Sequence, residues 1–500
     1  MSAVFGFSPL IPRIVEVLKG ASIDPAGVCL VGGAVRDAVL GKPSHDLDFV
    51  VTYDSLKTAR KVADALGGAY FTLDEDFQVG RVVFTAEGRP RQVFDFVKLQ
   101  GETLEDDLRL RDFTINAMAV SLADPDELID PLGGLKDLHQ HRLQLCSPQS
   151  LSADPVRVLR VVRMSAKYQL TIPPETRQLI VEAVPGLEKV SPERVRDEFL
   201  KTLEAPKPAA SLRILDRLGA LEKVIPQIAA IKKVEQSTPH IYDLWEHTLH
   251  TVQALEGILQ LLDQNYKHDN EMGGDLFSGL LSQRLGRYRV QISDHLAEDL
   301  VPERSALGMI FLAALLHDIG KPGHQKVLED GRIKFPGHEQ YGAETAAEIG
   351  AALKLSNTEI QRLTRSVVGH TRPWHLTSAE DLPTRKVIYR FWRDLGEAGV
   401  DVCLLELADL RGVYGHTLTK DLMERHLDTI RALLEAYFDS PEVISPQPLL
   451  DGHDLIEEFE LEPGPVFGEL LNLLIEAQVE GEIRTRSEAL AFVSAALADM

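Results

Sequence analysis

The segment LVGGAVRDAVLGKPSHDLDFVV, residues 30–51, reads as a strand running into Gly32-Gly33, a helix, and a second strand that carries Asp46 and Asp48. Alternate residues of a strand face one side, so the two carboxylates of Asp-Leu-Asp converge on one point. Such a point suits magnesium, which is commonly held by one or two carboxylates together with substrate phosphates. A glycine pair ahead of a helix lets backbone N–H groups approach phosphates, and Arg36 is expected to project from the first turn of that helix. An isolated Asp-x-Asp is a weak signal, because surface strands often carry it.

Outward from this segment, residues 28–145 alternate short β-rich runs (VCLVGG, LDFVVTY, GRVVFTA, RQVFDFVKL, INAMAVSL) with helical stretches such as SLKTARKVADAL. That pattern predicts one compact α/β unit. Beyond residue 151 the β-rich runs almost vanish. DPVRVLRVVRMSAKY, SPERVRDEFLKTLE and AASLRILDRLGALEKV have apolar residues at helical spacing and predict a helical region to about 235. A second helical unit starts near Pro239, and the polar, glycine-containing stretch 263–289 is expected to be an insertion or mobile loop within it. The division that follows is 1–145, 146–235, 236–440 and a helical tail, 441–500. No internal repeat is present.

Five hundred residues are too many for one ordinary core and point to several modules. With 44% hydrophobic and 26% charged residues, and no apolar run long enough to cross a bilayer, the composition is that of a soluble protein without a membrane partner. The N-terminus lacks the features of a secretory signal, so the cytoplasm is the expected location. Three distant cysteines, Cys29, Cys146 and Cys403, offer neither a disulfide framework nor metal spacing and are expected to pack in the core. The net charge of -23 argues against indiscriminate nucleic-acid binding, so an RNA substrate needs a local basic track. Arg157, Arg160, Arg163 and Lys167, followed by Arg194, Arg196, Lys201, Arg213 and Arg217, supply one, although such a row also suits a solvated helix face.

Gly-Gly-Ala-Val-Arg-Asp followed by Asp-Leu-Asp resembles the first signature of the class II tRNA nucleotidyltransferase and bacterial poly(A) polymerase family, within the polymerase-β-like superfamily. LRLRDFTINAMAV at 108–120, IDPLGGLKDL at 129–138, DPVRVLR at 154–160 and SPERVRDEF at 191–199 resemble its further motifs in order. The resemblance implies an α/β polymerase-β-like head followed by all-α domains. It implies template-independent addition of CMP and AMP, from CTP and ATP, to the 3′ end of tRNA. Asp46 and Asp48 would then be catalytic metal ligands for Mg2+. Gly32, Gly33 and Arg36 would hold the triphosphate, with Arg111, Asp112 and Asn116 at the ribose, whose 2′-hydroxyl both donates and accepts hydrogen bonds. Asp95, in RQVFDFV, is a third carboxylate on a neighbouring strand or equally a solvated one. Asp154 and Arg157, three apart on an expected helical face, offer an acceptor and a donor fork that can mimic a base edge, and Arg160 belongs to the same nucleotide-binding motif.

The sequence departs from the family pattern at three places. Ala153 stands where a glutamate normally precedes the aspartate, and Leu110 where arginine is common. Between Val97 and Asp107 lie nine residues, KLQGETLED, where full CCA-adding members carry a longer flexible element that CC-only members lack. CC-only addition and poly(A) synthesis are therefore the alternatives within the chemistry.

Farther on, LLHDIGKP at 315–322 places adjacent His317 and Asp318 on an apolar helix, a costly burial unless both are coordinated or hydrogen-bonded. With His247, His338, His370 and Asp409, the ordered series resembles the HD-domain phosphohydrolases, with Lys321 beside the phosphate site. The resemblance implies one or two divalent ions of unspecified identity there, and hydrolysis of phosphate or cyclic phosphate at RNA 3′ ends. A structural HD fold competes with this reading. An RNA-binding HD hydrolase with an inactive head competes instead with nucleotide addition. Oligomeric state is not written in the sequence.

Overall fold

The computed structural model describes residues 10–85, 91–266, 275–377, 381–462 and 464–499. The chain divides into two compact units, residues 1–191 with 218–223, and residues 192–217 with 224–500.

The first unit is built on a seven-stranded sheet: β1 (Val28–Val31), β2 (Asp46–Val51), β3 (Ala69–Asp74), β4 (Val79–Phe84), β5 (Gln92–Lys98), β6 (Ala119–Ser121) and β7 (Asp124–Ile129). Their order is β3-β4-β5-β2-β1-β6-β7. Only β2 and β5 pair in parallel; the other neighbours are antiparallel. Strands β3 and β7 were not foreseen, because AYFTLD is mostly exposed and DPDELI carries a proline and three acids. Both lie at sheet edges, where proline and charge are tolerated and apolar alternation is not required.

Burial fixes the register of the central strands. Leu47 and Phe49 of β2 join Leu30, Phe94 and Phe96 in one core, with Phe49 stacked on Phe96 at 4.8 Å. Burying such a phenylalanine stabilises by roughly 2–3 kcal/mol. A slip of one residue would turn Phe49 to solvent, so the same packing holds Asp46 and Asp48 on the opposite face. The helix Ser55–Leu66 covers the core; its N-cap Asp54 accepts from the Lys57 amide, and Gly67 at φ +71° ends it. After the sheet, the helix Arg157–Tyr168 buries Val158, Leu159, Val161 and Val162 and stops at Gln169 in the left-handed region.

The second unit is helical, with two short hairpins at Asp299–Ser305 and Lys326–Lys334. Its centre is the helix Ala306–Leu316 (ALGMIFLAALL), apolar on every side and therefore enclosed by neighbours, which include Leu244–Leu261 and Asn357–Gly369. Residues from Leu450 to Val493 form a separate apolar cluster. The stretch 263–289, expected to be a loop, contains the helix Leu276–Leu285, whose Phe277, Leu280, Leu281 and Leu285 are buried; residues 267–274 lie outside the described residues. Cys403 is buried, Cys29 and Cys146 are half-buried, and all three are free thiols. Among the described residues no helix is long and apolar enough to cross a membrane.

Candidate active sites

The glycine turn and the paired aspartates meet in the first unit. Gly32 takes φ +75°, open to glycine at no steric cost, and a Cβ there would lie 3.2 Å from Arg111 Nη1 and 3.3 Å from Asp48 Oδ2. The turn, the carboxylate and the guanidinium thus share one spot. Parallel pairing of β2 with β5 sets Asp95 opposite Asp48, and antiparallel pairing of β5 with β4 sets Arg81 opposite Asp95. Arg81 Nε and Nη2 donate to the two Asp95 oxygens, each at 2.8 Å, in the bidentate geometry that arginine favours. Asp48 has a pKa raised above the usual carboxylate value: burial is the largest cause, Arg111 opposes it, Asp95 and Asp46 add to it, and Arg160 opposes it. Carboxylates crowded so that one resists ionisation fit a divalent cation, which would supply the charge they lack.

Arg36 turns inward. It is 6% exposed, donates from Nη1 to Asn116 Oδ1 and from Nε to Asp37 Oδ1 at 2.9 Å, and its guanidinium lies 4.2 Å over the Tyr168 ring. The Tyr168 hydroxyl donates to the same Asp37 oxygen at 3.0 Å. Asn116 Nδ2 donates to Asp112 Oδ1 at 3.0 Å, and Arg160 Nε stands 2.6 Å from Asp112 Oδ2. A continuous polar chain therefore joins Arg36, Asn116, Asp112 and Arg160. Arg111 is steered from behind by Asp107, which accepts from it at 3.3 and 3.4 Å.

The base-mimicking pair differs from its sequence reading. Asp154 has extended backbone (φ −144°, ψ 92°) and precedes the helix, which begins at Arg157. The two side chains approach to 3.8 Å, while Arg157 donates to the carbonyls of Ser150 and Leu110, both at 3.1 Å. Proline at 155 explains the break, since the residue before proline is pushed out of the helical region. The basic row is also less free than its spacing suggests. Arg213 pairs with Glu246 through both oxygens, and buried Arg196 donates to Asp197 Oδ1 and the Lys354 carbonyl.

From the end of β5 to the helix Leu104–Arg109 there are five residues. They are tied down: Thr103 and Asp106 form a reciprocal capping box, and the Gln100 amide donates to Asp107 at 3.0 Å.

In the second unit the six predicted ligands converge. His247, His317 and Asp409 form one group and Asp318, His338 and His370 another, with ligand atoms within 4.8 Å of one another in each. His317 and His370 stand at the ends of the helices Ala306–Leu316 and Asn357–Gly369, and His338 starts the helix His338–Ala352. Each lays Nδ1 against the carbonyl three residues back: Ala314 at 2.8 Å, Phe335 at 2.8 Å and Val367 at 2.7 Å. This arrangement fixes Nδ1 as the donor and turns Nε2 toward the cluster. Yet His317 Nε2 faces His247 Nε2 at 3.1 Å, and Asp318 Oδ1 and Asp409 Oδ1 are buried without a hydrogen bond among the described residues. Basic nitrogens and carboxylate oxygens pointed at each other in a dry interior fit a cation between them. Burial works against charge on His317, but Asp318 and Asp409 push it up to about 10, and both carboxyls are held well below the usual range despite burial. Lys321 Nζ sits 2.6 Å from Asp318 Oδ2 and donates to Gln236 Oε1 at 2.8 Å.

Comparison with known proteins bears directly on these two sites. Residues 28–144 match the poly A polymerase head domain, 169–232 the RNA and SrmB-binding site of polymerase A, 287–409 the HD domain, and 419–493 the tRNA nucleotidyltransferase domain 2. The chain is 32% identical over 475 residues to the A-adding tRNA nucleotidyltransferase of Deinococcus radiodurans, covering 94% of this chain and 95% of that protein. It belongs to the tRNA nucleotidyltransferase family. It is also 29% identical over 480 residues to the CC-adding tRNA nucleotidyltransferase of Synechocystis, covering 94% and 93% of the two chains. The Thermotoga maritima CCA-adding enzyme complexed with tRNA shares the fold, with a TM-score of 0.55 and 20% identity over 98% of this chain and 95% of that one.

Several residues of this nucleotidyltransferase escaped the sequence reading. Arg81 faces Asp95 only because β4 and β5 pair in one register. Asp107 and Tyr168 act at one remove, on Arg111 and Arg36. His240 packs edge-on against His247 at 5.3 Å, and burial, with Lys321 and His247 close by, pushes it down to about 4. The sequence signal for His240 was its place seven residues before a proposed ligand, which is too common to single it out.

Proposed function

We propose that this chain adds nucleotides from CTP and ATP to the 3′ end of tRNA without a nucleic-acid template, with Asp46 and Asp48 holding Mg2+, and that it does so in the cytoplasm. The observation that carries the reading is the meeting of the Gly32 turn, Asp48 and Arg111, with Asp46 on the same strand face and Asp95 opposite. When bound, the metal lowers the pKa of the attacking hydroxyl and neutralises the triphosphate. The protein's own part is positional. Backbone amides after Gly32 donate to phosphate oxygens, Arg111 adds charge beside the carboxylates, and Asp112 and Asn116 present acceptor and amide groups to the ribose. Asp154 and Arg157 select the base once Arg157 exchanges its carbonyl partners for it. The four-part division of the chain, with nucleotide selection in 146–235, follows from this reading.

A second reading, addition of the two cytidines only, is favoured by the short and tied-down connection between β5 and the helix Leu104–Arg109. The relatives include enzymes named for A addition and for CC addition. Incubating the protein with tRNA that lacks CCA, Mg2+ and CTP or ATP singly and together separates the outcomes by product length. Extension by three residues only with both nucleotides supports full addition. Two residues from CTP alone, with none from ATP, supports CC addition, and no extension overturns both.

For the second unit we propose a metal-dependent phosphohydrolase acting on RNA 3′ ends or 2′,3′-cyclic phosphates. His247, His317, Asp318, His338, His370 and Asp409 would hold the ion or ions, and Lys321 would meet the phosphate. An imidazole-rich set with two carboxylates suits a transition metal better than magnesium. Hydrolysis that survives alanine at both His317 and Asp318 overturns this proposal.

A further inference from the structure

The six proposed ligands account for the metal and Lys321 for the phosphate, but neither accounts for the terminal ribose. The segment from Gln236 to Tyr242, ahead of the helix Leu244–Leu261, is held by three separate contacts, one of them to Lys321 of that site. Gln236 Oε1 accepts from Lys321 Nζ, Ser237 Oγ accepts from the Ile333 amide at 2.7 Å, and the Ile241 amide donates to the Val413 carbonyl at 3.3 Å. Between these anchors the His240 ring stands edge-on to His247, at 77° and 5.3 Å. It lies within electrostatic reach of Lys321, Asp318 and Asp409 as well.

The internal bonds of His240 define what it can offer. Its amide donates to the Ser237 carbonyl at 3.2 Å, and its Nδ1 meets the same oxygen at 3.3 Å. Among the described residues Nε2 has no hydrogen-bond partner. The ring is half-buried rather than enclosed, which separates it from His247, His317 and His370. A polar ring with one nitrogen anchored, the other available and a face against a metal ligand is placed to touch whatever the metal site acts on.

We propose that His240 is a substrate-contacting residue of the second site, its Nε2 accepting a hydrogen bond from the free hydroxyl of a 3′-terminal ribose that carries a phosphate monoester, while the segment from Gln236 to Tyr242 holds the ring in place. This rests on the hydrolase reading given above. It assigns His240 to recognition of the terminal nucleotide and not to the metal.

The test uses the full-length chain with His240→Ala and His240→Asn, read in three ways. Metal per chain is measured by elemental analysis, KM and kcat with adenosine 2′,3′-cyclic phosphate, and the Kd of adenosine 2′-monophosphate by calorimetry. The expected result is unchanged metal content, a Kd for adenosine 2′-monophosphate raised roughly fivefold in His240→Ala as one hydrogen bond from the ribose hydroxyl is lost, partial recovery in His240→Asn, whose side-chain oxygen still accepts, and an unchanged KM for the cyclic phosphate, which has no free hydroxyl at that ribose. Loss of metal in His240→Ala, or an unchanged Kd for adenosine 2′-monophosphate, overturns the assignment while leaving the hydrolase intact. If the parent chain hydrolyses nothing with any divalent metal, the hydrolase reading falls. The calorimetric Kd then still decides whether His240 contacts the nucleotide.

Discussion

The two carboxylate sites of this chain are built by opposite means. In the first unit, Asp46 and Asp48 stand on one strand of a sheet, partly open to solvent, with Arg111 and Arg160 only partly offsetting their mutual repulsion. In the second, four imidazoles and two carboxyls come from five separate helices or helix ends and are mostly buried, and three of the imidazoles are aimed by backbone carbonyls. An open pair on a strand suits an ion that arrives with the nucleotide and leaves with the product. A closed set suits an ion that stays.

Breaking the open site gives the largest effect. Asp48→Asn is expected to lower CMP incorporation by about a thousandfold or more, the scale of losing metal-assisted charge stabilisation, while cyclic-phosphate hydrolysis is unchanged. Parallel loss of both activities in primer-extension and hydrolysis assays would erase the distinction between the two sites. The closed site is tested next by Asp318→Ala and by dialysis against a chelator. Both should remove the tightly held metal and abolish hydrolysis, with nucleotide addition restored at once by fresh Mg2+. Because an ion at a hundredfold its dissociation constant stabilises by about 2.7 kcal/mol, the chelated protein should also melt earlier in a thermal scan. A melting curve indifferent to chelation would place the second ion in the exchangeable class too. The smallest effect sharpens the comparison from the open side. Gly32→Ala sets a side chain in a left-handed conformation and against Arg111 and Asp48. It should slow addition by about tenfold, at a conformational cost of roughly 1–2 kcal/mol, and leave hydrolysis alone.

What could be read before folding differs between the sites in the same way. The open pair was legible because two aspartates on a strand and a glycine turn lie within twenty residues, where period-two alternation decides direction. The six ligands of the closed site were legible as an ordered series, although their spacing of up to seventy residues says nothing of distance. The misreadings concern side chains whose direction is set by distant partners. Arg36 was expected to project from the first turn of its helix, and its partner there, Tyr168, is 132 residues away in sequence. Asp154 was expected on a helix and is kept off it by Pro155. Asp95 was left undecided, and the partner that occupies it, Arg81, becomes visible only once β4 is laid beside β5. Edge strands β3 and β7 went unread because an edge does not demand an apolar face.

The polar chain from Arg36 through Asn116 and Asp112 to Arg160 has a consequence for fidelity. Every one of these groups already has a mate inside the protein, so a nucleotide bound there as proposed would have to share or displace contacts that exist in its absence. A nucleotide that cannot match what it displaces leaves the protein better off without it. The resting structure is thereby a competitor that every candidate substrate must beat.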